Sequence, residues 1–136
     1  MIHQVFIGLG SNLGDKVWNL QETIRLISER VGAVVRQSSF LETEPWGFES
    51  ENTFVNAVIC CETEKTPREV LVLMQQIERE MGRTRKSSSG GYSDRPIDID
   101  ILLYDNLTVD EPDLKIPHPL MHQRDFVMIP LEEIRK

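Results

Sequence analysis

Apolar residues recur along this chain with two periods, and the order in which those periods alternate predicts the fold. Ile2 to Leu9 is rich in β-branched and aromatic residues and runs into Gly8 and Gly10, which reads as a first strand. After the turn Gly10-Ser11-Asn12-Leu13-Gly14, Asp15 is placed to cap a helix whose apolar stripe is Val17, Leu20, Ile24, Ile27 and Val31, with Gly32 as its stop. Val34 to Glu42 predicts a second strand and Thr53 to Glu62 a third. The ten residues between them hold Pro45, Trp46 and Gly47, which suits a long hairpin connection rather than a helical crossover. Thr66-Pro67-Arg68-Glu69 is a helix start, with Thr66 as N-cap, Pro67 at the first position and Glu69 completing a capping box. Val70, Met74, Ile77 and Met81 form its buried stripe, and Gly82 ends it.

A polar loop rich in glycine and serine covers roughly 83–95, and Ile97 to Tyr104 predicts a fourth strand. The order β-α-β-β-α-β implies an α+β fold of the ferredoxin-like kind, a mainly antiparallel sheet with the helices on one face. The tail from Asn106 reads as short pieces, with a Pro117-His118-Pro119 turn and an edge strand near Phe126–Ile129. The 136 residues suit one domain with one core, spanning 1–136.

A net charge of −7 weighs against a partner such as nucleic acid or an anionic membrane. The charge is not evenly spread. Five of the fifteen basic residues, Arg79, Arg83, Arg85, Lys86 and Arg95, fall between 79 and 95, beside only Glu80 and Asp94. A cationic patch on an acidic protein points to a small anion. Cys60 and Cys61 are adjacent, so on a strand they face opposite ways and make neither a disulfide nor a metal-ligand spacing. Buried free thiols, the absence of a leader pattern and the absence of a membrane-length apolar run make a cytoplasmic protein the expectation.

The segment Pro96-Ile97-Asp98-Ile99-Asp100-Ile101 alternates strictly. Asp98 and Asp100 share one strand face, roughly 6.5–7 Å apart along the strand. A solvated sheet face produces the same alternation. Aspartate is nevertheless a poor strand residue, and two like charges this close favour a divalent cation between them. Magnesium commonly takes one or two carboxylates plus phosphate oxygens and water, and the basic loop lies just upstream for the phosphates. That loop, with cations at both ends, suits a lid over phosphates or a plain mobile connection. The Gly8–Gly14 glycines have the wrong spacing for a dinucleotide or P-loop fingerprint and read mainly as turn geometry. Thr43, Glu44, Trp46, Phe54, Asn56 and Phe126 could enclose a flat heterocycle, with aromatic faces around it and an amide on its edge; core packing serves Phe54 and Phe126 equally well.

Gly10-Ser11-Asn12-Leu13-Gly14, Asn56-Ala57, Gly82-Arg83-Thr84-Arg85-Lys86, Asp98-Ile99-Asp100-Ile101-Leu102, Ile116-Pro117-His118 and Arg124-Asp125-Phe126 occur in the order seen in the 6-hydroxymethyl-7,8-dihydropterin pyrophosphokinases of folate biosynthesis, and nearly the whole chain resembles that family. The resemblance implies transfer of pyrophosphate from MgATP to the pterin hydroxymethyl group, releasing AMP, with two Mg²⁺ ions ligated by Asp98 and Asp100. It places Arg83 and Arg95 as phosphate-contacting arginines with Arg85 nearby. Gln75, Glu78, Ile101 and His118 fall at nucleotide positions, with Arg124 near the phosphates. Thr43, Trp46, Phe54, Asn56 and Phe126 form the pterin pocket, with Asn56 bonding the ring and Phe126 stacking on it. A monomer is the expected state. The chain departs from the family at Tyr92-Ser93-Asp94-Arg95, where Trp-Gly-Pro-Arg is usual, in a loop about two residues longer by hand alignment. It departs again at Asp113 and Pro119, where well-known members carry arginine and tyrosine. It closes soon after Pro130–Ile134, without the longer tail of some members.

Overall fold

The computed structural model describes residues 1–44, 53–82 and 96–135. Strand β1 (His3–Ser11) leads into helix α1 (Lys16–Arg30), and β2 (Ala33–Gln37) and β3 (Leu41–Thr43) follow. Then come β4 (Phe54–Thr63), α2 (Pro67–Glu80) and β5 (Asp98–Tyr104). A small hairpin, β6 (Val109–Glu111) and β7 (Leu114–Ile116), precedes a turn of 3₁₀ helix (Met121–Gln123) and α3 (Asp125–Ile134). The main sheet runs β2-β4-β1-β5, with β3 also on β4, and every described pairing is antiparallel. This is the ferredoxin-like arrangement, with β1 and β4 central and β5 at one edge.

Local chemistry sets the helix starts. Asp15 accepts from the Trp18 amide at 3.1 Å, capping α1. In α2 the capping box is complete: the Glu69 amide donates to Thr66 Oγ1 at 3.2 Å and the Thr66 amide to Glu69 Oε1 at 2.9 Å. The α1 stripe differs from the predicted one by its first member. Val17 is exposed, and the buried face is Asn19, Leu20, Thr23, Leu26 and Ile27. The Asn19 carboxamide turns inward to donate to Leu13 O at 2.9 Å and Ser11 Oγ at 3.2 Å, which fixes the turn after β1. The predicted second strand is broken at residues 38–40. There the buried Ser38 hydroxyl accepts from the Val58 amide at 2.9 Å, doing the work of a ladder carbonyl while the chain kinks.

Period-two alternation sends side chains of the central strands to two faces, and both are covered. On one, Val5, Ile7, Leu9, Ile59, Cys61, Ile99 and Ile101 pack against Leu20 and Ile27 of α1 and Val70, Met74 and Ile77 of α2. On the other, Phe6, Val58, Cys60 and Leu102 pack against Met121 and against Val127, Leu131 and Ile134 of α3. The two predicted helices share one face, as expected, and one expectation is corrected: Phe126–Ile129 belongs to a third helix on the other face, not to an edge strand. Val127, Pro130, Leu131 and Ile134 are buried at helical spacing, a pattern masked by a short run of strand-favouring residues.

Cys60 and Cys61 are both free and buried, one on each face. Burial pushes both thiols above their ordinary value, Cys61 to about 12. Since the thiolate is the nucleophile, neither should react with a disulfide reagent at pH 8 while the protein is native, and both should react in denaturant. Release of chromophore from the native protein would contradict this packing.

Candidate active site

The second face of the sheet is only half covered by α3, and at its open end the side chains form two cross-strand rows. In one row Gly10 of β1 lies between Asn56 of β4 and Asp98 of β5; in the next, Gly8 lies between Val58 and Asp100. The two glycines leave the central strand without side chains between Asn56 and the aspartates. The resulting cleft is lined by Gly8, Gly10, Asn56, Asp98 and Asp100 on its floor, with Thr43, Glu44, Phe54 and Phe126 around it. The structure thus brings together every predicted pocket residue among those it describes; Trp46 lies outside them, as do Arg83, Arg85 and Arg95.

Asn56 is 3% exposed, and its carboxamide is oriented: Nδ2 donates to Thr43 Oγ1 at 2.9 Å, across the β3–β4 pairing. Gly10 faces the other end of that amide, where a Cβ would stand 2.9 Å from Asn56 Oδ1. Phe54 and Phe126 are half-buried, one from the start of β4 and one from the first turn of α3. On the opposite face of the sheet, Lys16 ties the start of α1 to the β3–β4 pair. Its Nζ donates to Thr53 O at 3.2 Å and Thr53 Oγ1 at 3.3 Å, and the Thr53 hydroxyl donates to Glu42 Oε2 at 2.8 Å.

Arg124, just before α3, is 3% exposed, with its guanidinium carbon 5.6 Å from the Phe126 ring centre. Burial lowers its pKa from the ordinary value, yet arginine stays protonated, so α3 brings a desolvated cation close to the cleft. His118 Nδ1 accepts from the Leu120 amide at 3.2 Å, which assigns the proton to Nε2. Nε2 in turn lies 3.9 Å from Asp100 Oδ1.

A second cleft opens over the outer edge of β5. Leu71 and Met74 of α2, Ile99, Asp100 and Ile101 of β5, Pro112–Lys115 of the β6–β7 hairpin, His118 and Pro119 line it. Ile101 and His118 both line this second cleft. Gln75 is exposed on α2 and lines neither described cleft, and Glu78 is half-buried with its carboxylate on the Ile99 amide at 2.9 Å. Asp113, one of the departures from the family, bonds Arg68 at 2.7 Å, and Glu111 bonds the same guanidinium, tying the hairpin to the start of α2.

Asp100 borders both clefts. Among the described residues no group of three or more His, Cys, Asp or Glu side chains could hold a metal by itself. Two carboxylates open to a cleft, with the remaining positions left to ligand oxygens and water, fit magnesium bound together with a phosphate substrate.

The pattern of the family described as 7,8-dihydro-6-hydroxymethylpterin-pyrophosphokinase (HPPK) matches residues 6–136. The chain belongs to the HPPK family. A curated relative from Porphyromonas gingivalis, named 2-amino-4-hydroxy-6-hydroxymethyldihydropteridine pyrophosphokinase, is 50% identical over 131 residues, 96% of this chain and 89% of the relative. The Bacillus subtilis protein of the same name is 40% identical over 95% of this chain and 76% of its own length. Two crystal structures share the fold at a TM-score of 0.77. One is HPPK-DHPS in complex with substrates, 14% identical over 97% of this chain. The other is Plasmodium falciparum HPPK-DHPS with pteroate, 16% identical over 98%. The chain spans about 40% of the first of those longer chains and 39% of the second. As a member of this family the chain is a pyrophosphokinase, with the ferredoxin-like fold of its structural neighbours.

The glycine rows make a prediction that needs no substrate. Gly10→Ala should leave the protein folded, at a cost of about 1–3 kcal/mol from overpacking. It should also shift the Asn56 side-chain amide resonances, because the new methyl meets Oδ1 and the bond to Thr43 gives way. Unchanged Asn56 resonances in a folded variant would refute this view of the floor.

Proposed function

We propose that this protein transfers pyrophosphate from MgATP to the hydroxymethyl group of 6-hydroxymethyl-7,8-dihydropterin, giving AMP and the pterin pyrophosphate in folate biosynthesis. The observation that carries this reading is that Asp100 borders both clefts, with Asp98 beside it in the first. One cleft is apolar and edged by an oriented amide, which suits a flat heterocycle; the other, at the sheet edge, suits the nucleotide. Phe54 and Phe126 hold the pterin by its faces, while Asn56, oriented by Thr43, reads its edge. Trp46 adds to the same pocket. Ile101 and His118 contact the nucleotide, with Gln75 at its periphery.

Asp98 and Asp100 would hold the two magnesium ions, which neutralise phosphate charge when bound. The substrate hydroxyl oxygen would form the new bond to the β-phosphorus of ATP as the bond from that phosphorus to the bridging oxygen breaks; AMP leaves with that oxygen and the hydroxyl proton passes to water. The protein positions these partners and stabilises charge, and supplies no covalent nucleophile. Arg124 contributes a desolvated cation near the phosphates; Arg83, Arg85 and Arg95 contribute further cations from the basic loop. The same reading has one pyrophosphokinase domain over residues 1–136, acting as a monomer in the cytoplasm. Two free buried thiols accord with a reducing compartment. No helix among the described residues is long and apolar enough to cross a membrane.

The product distinguishes this reaction from other nucleotide-dependent transfers. With Mg²⁺, ATP and the hydroxymethyl pterin, the nucleotide released should be AMP; ADP would exclude pyrophosphoryl transfer. Asp98→Ala and Asp100→Ala should each lower turnover by about 10²-fold or more, with an unchanged circular dichroism spectrum. Magnesium-dependent nucleotide binding that survived both substitutions would remove the aspartates from the metal site.

A further inference from the structure

Asp98 and Asp100 lie on β5, an edge strand of the described sheet: β1 pairs with one side of it, and no described strand pairs with the other. An edge strand carries outward amide and carbonyl groups that need partners, and without them its ends fray more readily than a central strand. Two contacts close this edge. The Ile99 amide donates to Glu78 Oε2 at 2.9 Å, and the His118 amide donates to Leu102 O at 3.0 Å. The first falls between the two aspartates, on the residue whose own side chain is buried in the core opposite them.

Glu78 is an unexpected residue where it stands. It lies in the last turn of α2, at the negative end of the helix dipole, where a carboxylate is disfavoured. Its neighbour Glu80 is compensated by Arg30, at 2.8 Å for the longer of two contacts. For Glu78 the compensation includes a backbone amide of another element, a charge-assisted bond stronger than one between neutral groups. Because successive strand residues alternate faces, fixing the amide of Ile99 fixes the backbone from which both Asp98 and Asp100 project.

We infer that Glu78 is a positioning residue for the reaction: it clamps the outer edge of β5 at Ile99 and so holds the two aspartates at the spacing the metal-nucleotide complex requires. The inference rests on the pyrophosphokinase reading for its consequence, but the clamp itself is a property of the free protein. It assigns Glu78 a role exerted through the backbone of β5.

The test uses the full chain with Glu78→Ala and Glu78→Gln, since glutamine keeps a carbonyl acceptor and loses the charge. Hydrogen exchange of the Ile99 amide, followed by NMR without nucleotide or metal, should be about tenfold faster or more in Glu78→Ala. Glu78→Gln should restore most of that protection. In assays the alanine variant should need about tenfold more Mg²⁺ for half-maximal rate, with KM for the pterin within about twofold, and glutamine should recover most of the loss. Unchanged Ile99 exchange in Glu78→Ala would overturn the clamp. Equal loss of activity in both variants, with Ile99 protected in the glutamine one, would overturn it in favour of direct action by the charge. A wild-type protein that released no AMP would fail the pyrophosphokinase reading alone, with the exchange result standing apart.

Discussion

The site depends on one constraint: the central strand must present no side chain between Asn56 and the aspartate pair. Gly8 and Gly10 meet it in consecutive rows of a period-two face. Had either carried a side chain, the cleft floor would fill from below, and at Gly10 the Asn56 amide would be displaced as well. The other parts are arranged around that gap. β3 orients Asn56 from one side, α3 brings Phe126 and Arg124 over the top, and β5 brings Asp98 and Asp100 along the far side.

The two faces of the sheet divide the work. The face under α1 and α2 is packed with apolar side chains from Val5 to Ile101, with Asn19 and Thr23 of α1 buried beside them and hydrogen-bonded, and supplies the rigidity. The opposite face is packed only where α3 covers it, around Phe6, Cys60 and Leu102, and opens into the cleft beyond. A reaction that needs alignment and charge stabilisation, rather than an activated side-chain nucleophile, suits a rigid floor with polar groups at fixed register. The edge position of β5 then matters in its own right, because it lets Asp100 face a cleft on the sheet and a cleft beside it.

Much of this was legible in the sequence because it rests on local rules. The capping box at Thr66–Glu69, the alternation through Asp98–Ile101 and the opposed thiols of Cys60 and Cys61 appear as their spacing predicts. What escaped depended on tertiary contact. Val34–Glu42 could not announce that Ser38 would replace a ladder carbonyl, and Phe126–Ile129 reads as a strand because three strand-favouring residues, Phe126, Val127 and Ile129, outweigh a longer helical period. The glycines from Gly8 to Gly14 read as turn geometry in the sequence, which holds for Gly14 at φ +71°, beyond the end of β1. For Gly8 and Gly10 the available signal was their two-residue spacing at the end of a strand, but only the register to β4 and β5 shows what that spacing opens.

The most direct test is where a bound metal sits. With Mn²⁺ in place of Mg²⁺ and a non-hydrolysable ATP analogue, paramagnetic broadening should erase the amide resonances of Gly8, Gly10 and Ile99 and affect far less that of Ala33, which pairs with Glu62 at the other end of the sheet ladder. Sharp resonances at Gly8, Gly10 and Ile99 under saturating Mn²⁺ and nucleotide would contradict a metal centre at Asp98 and Asp100.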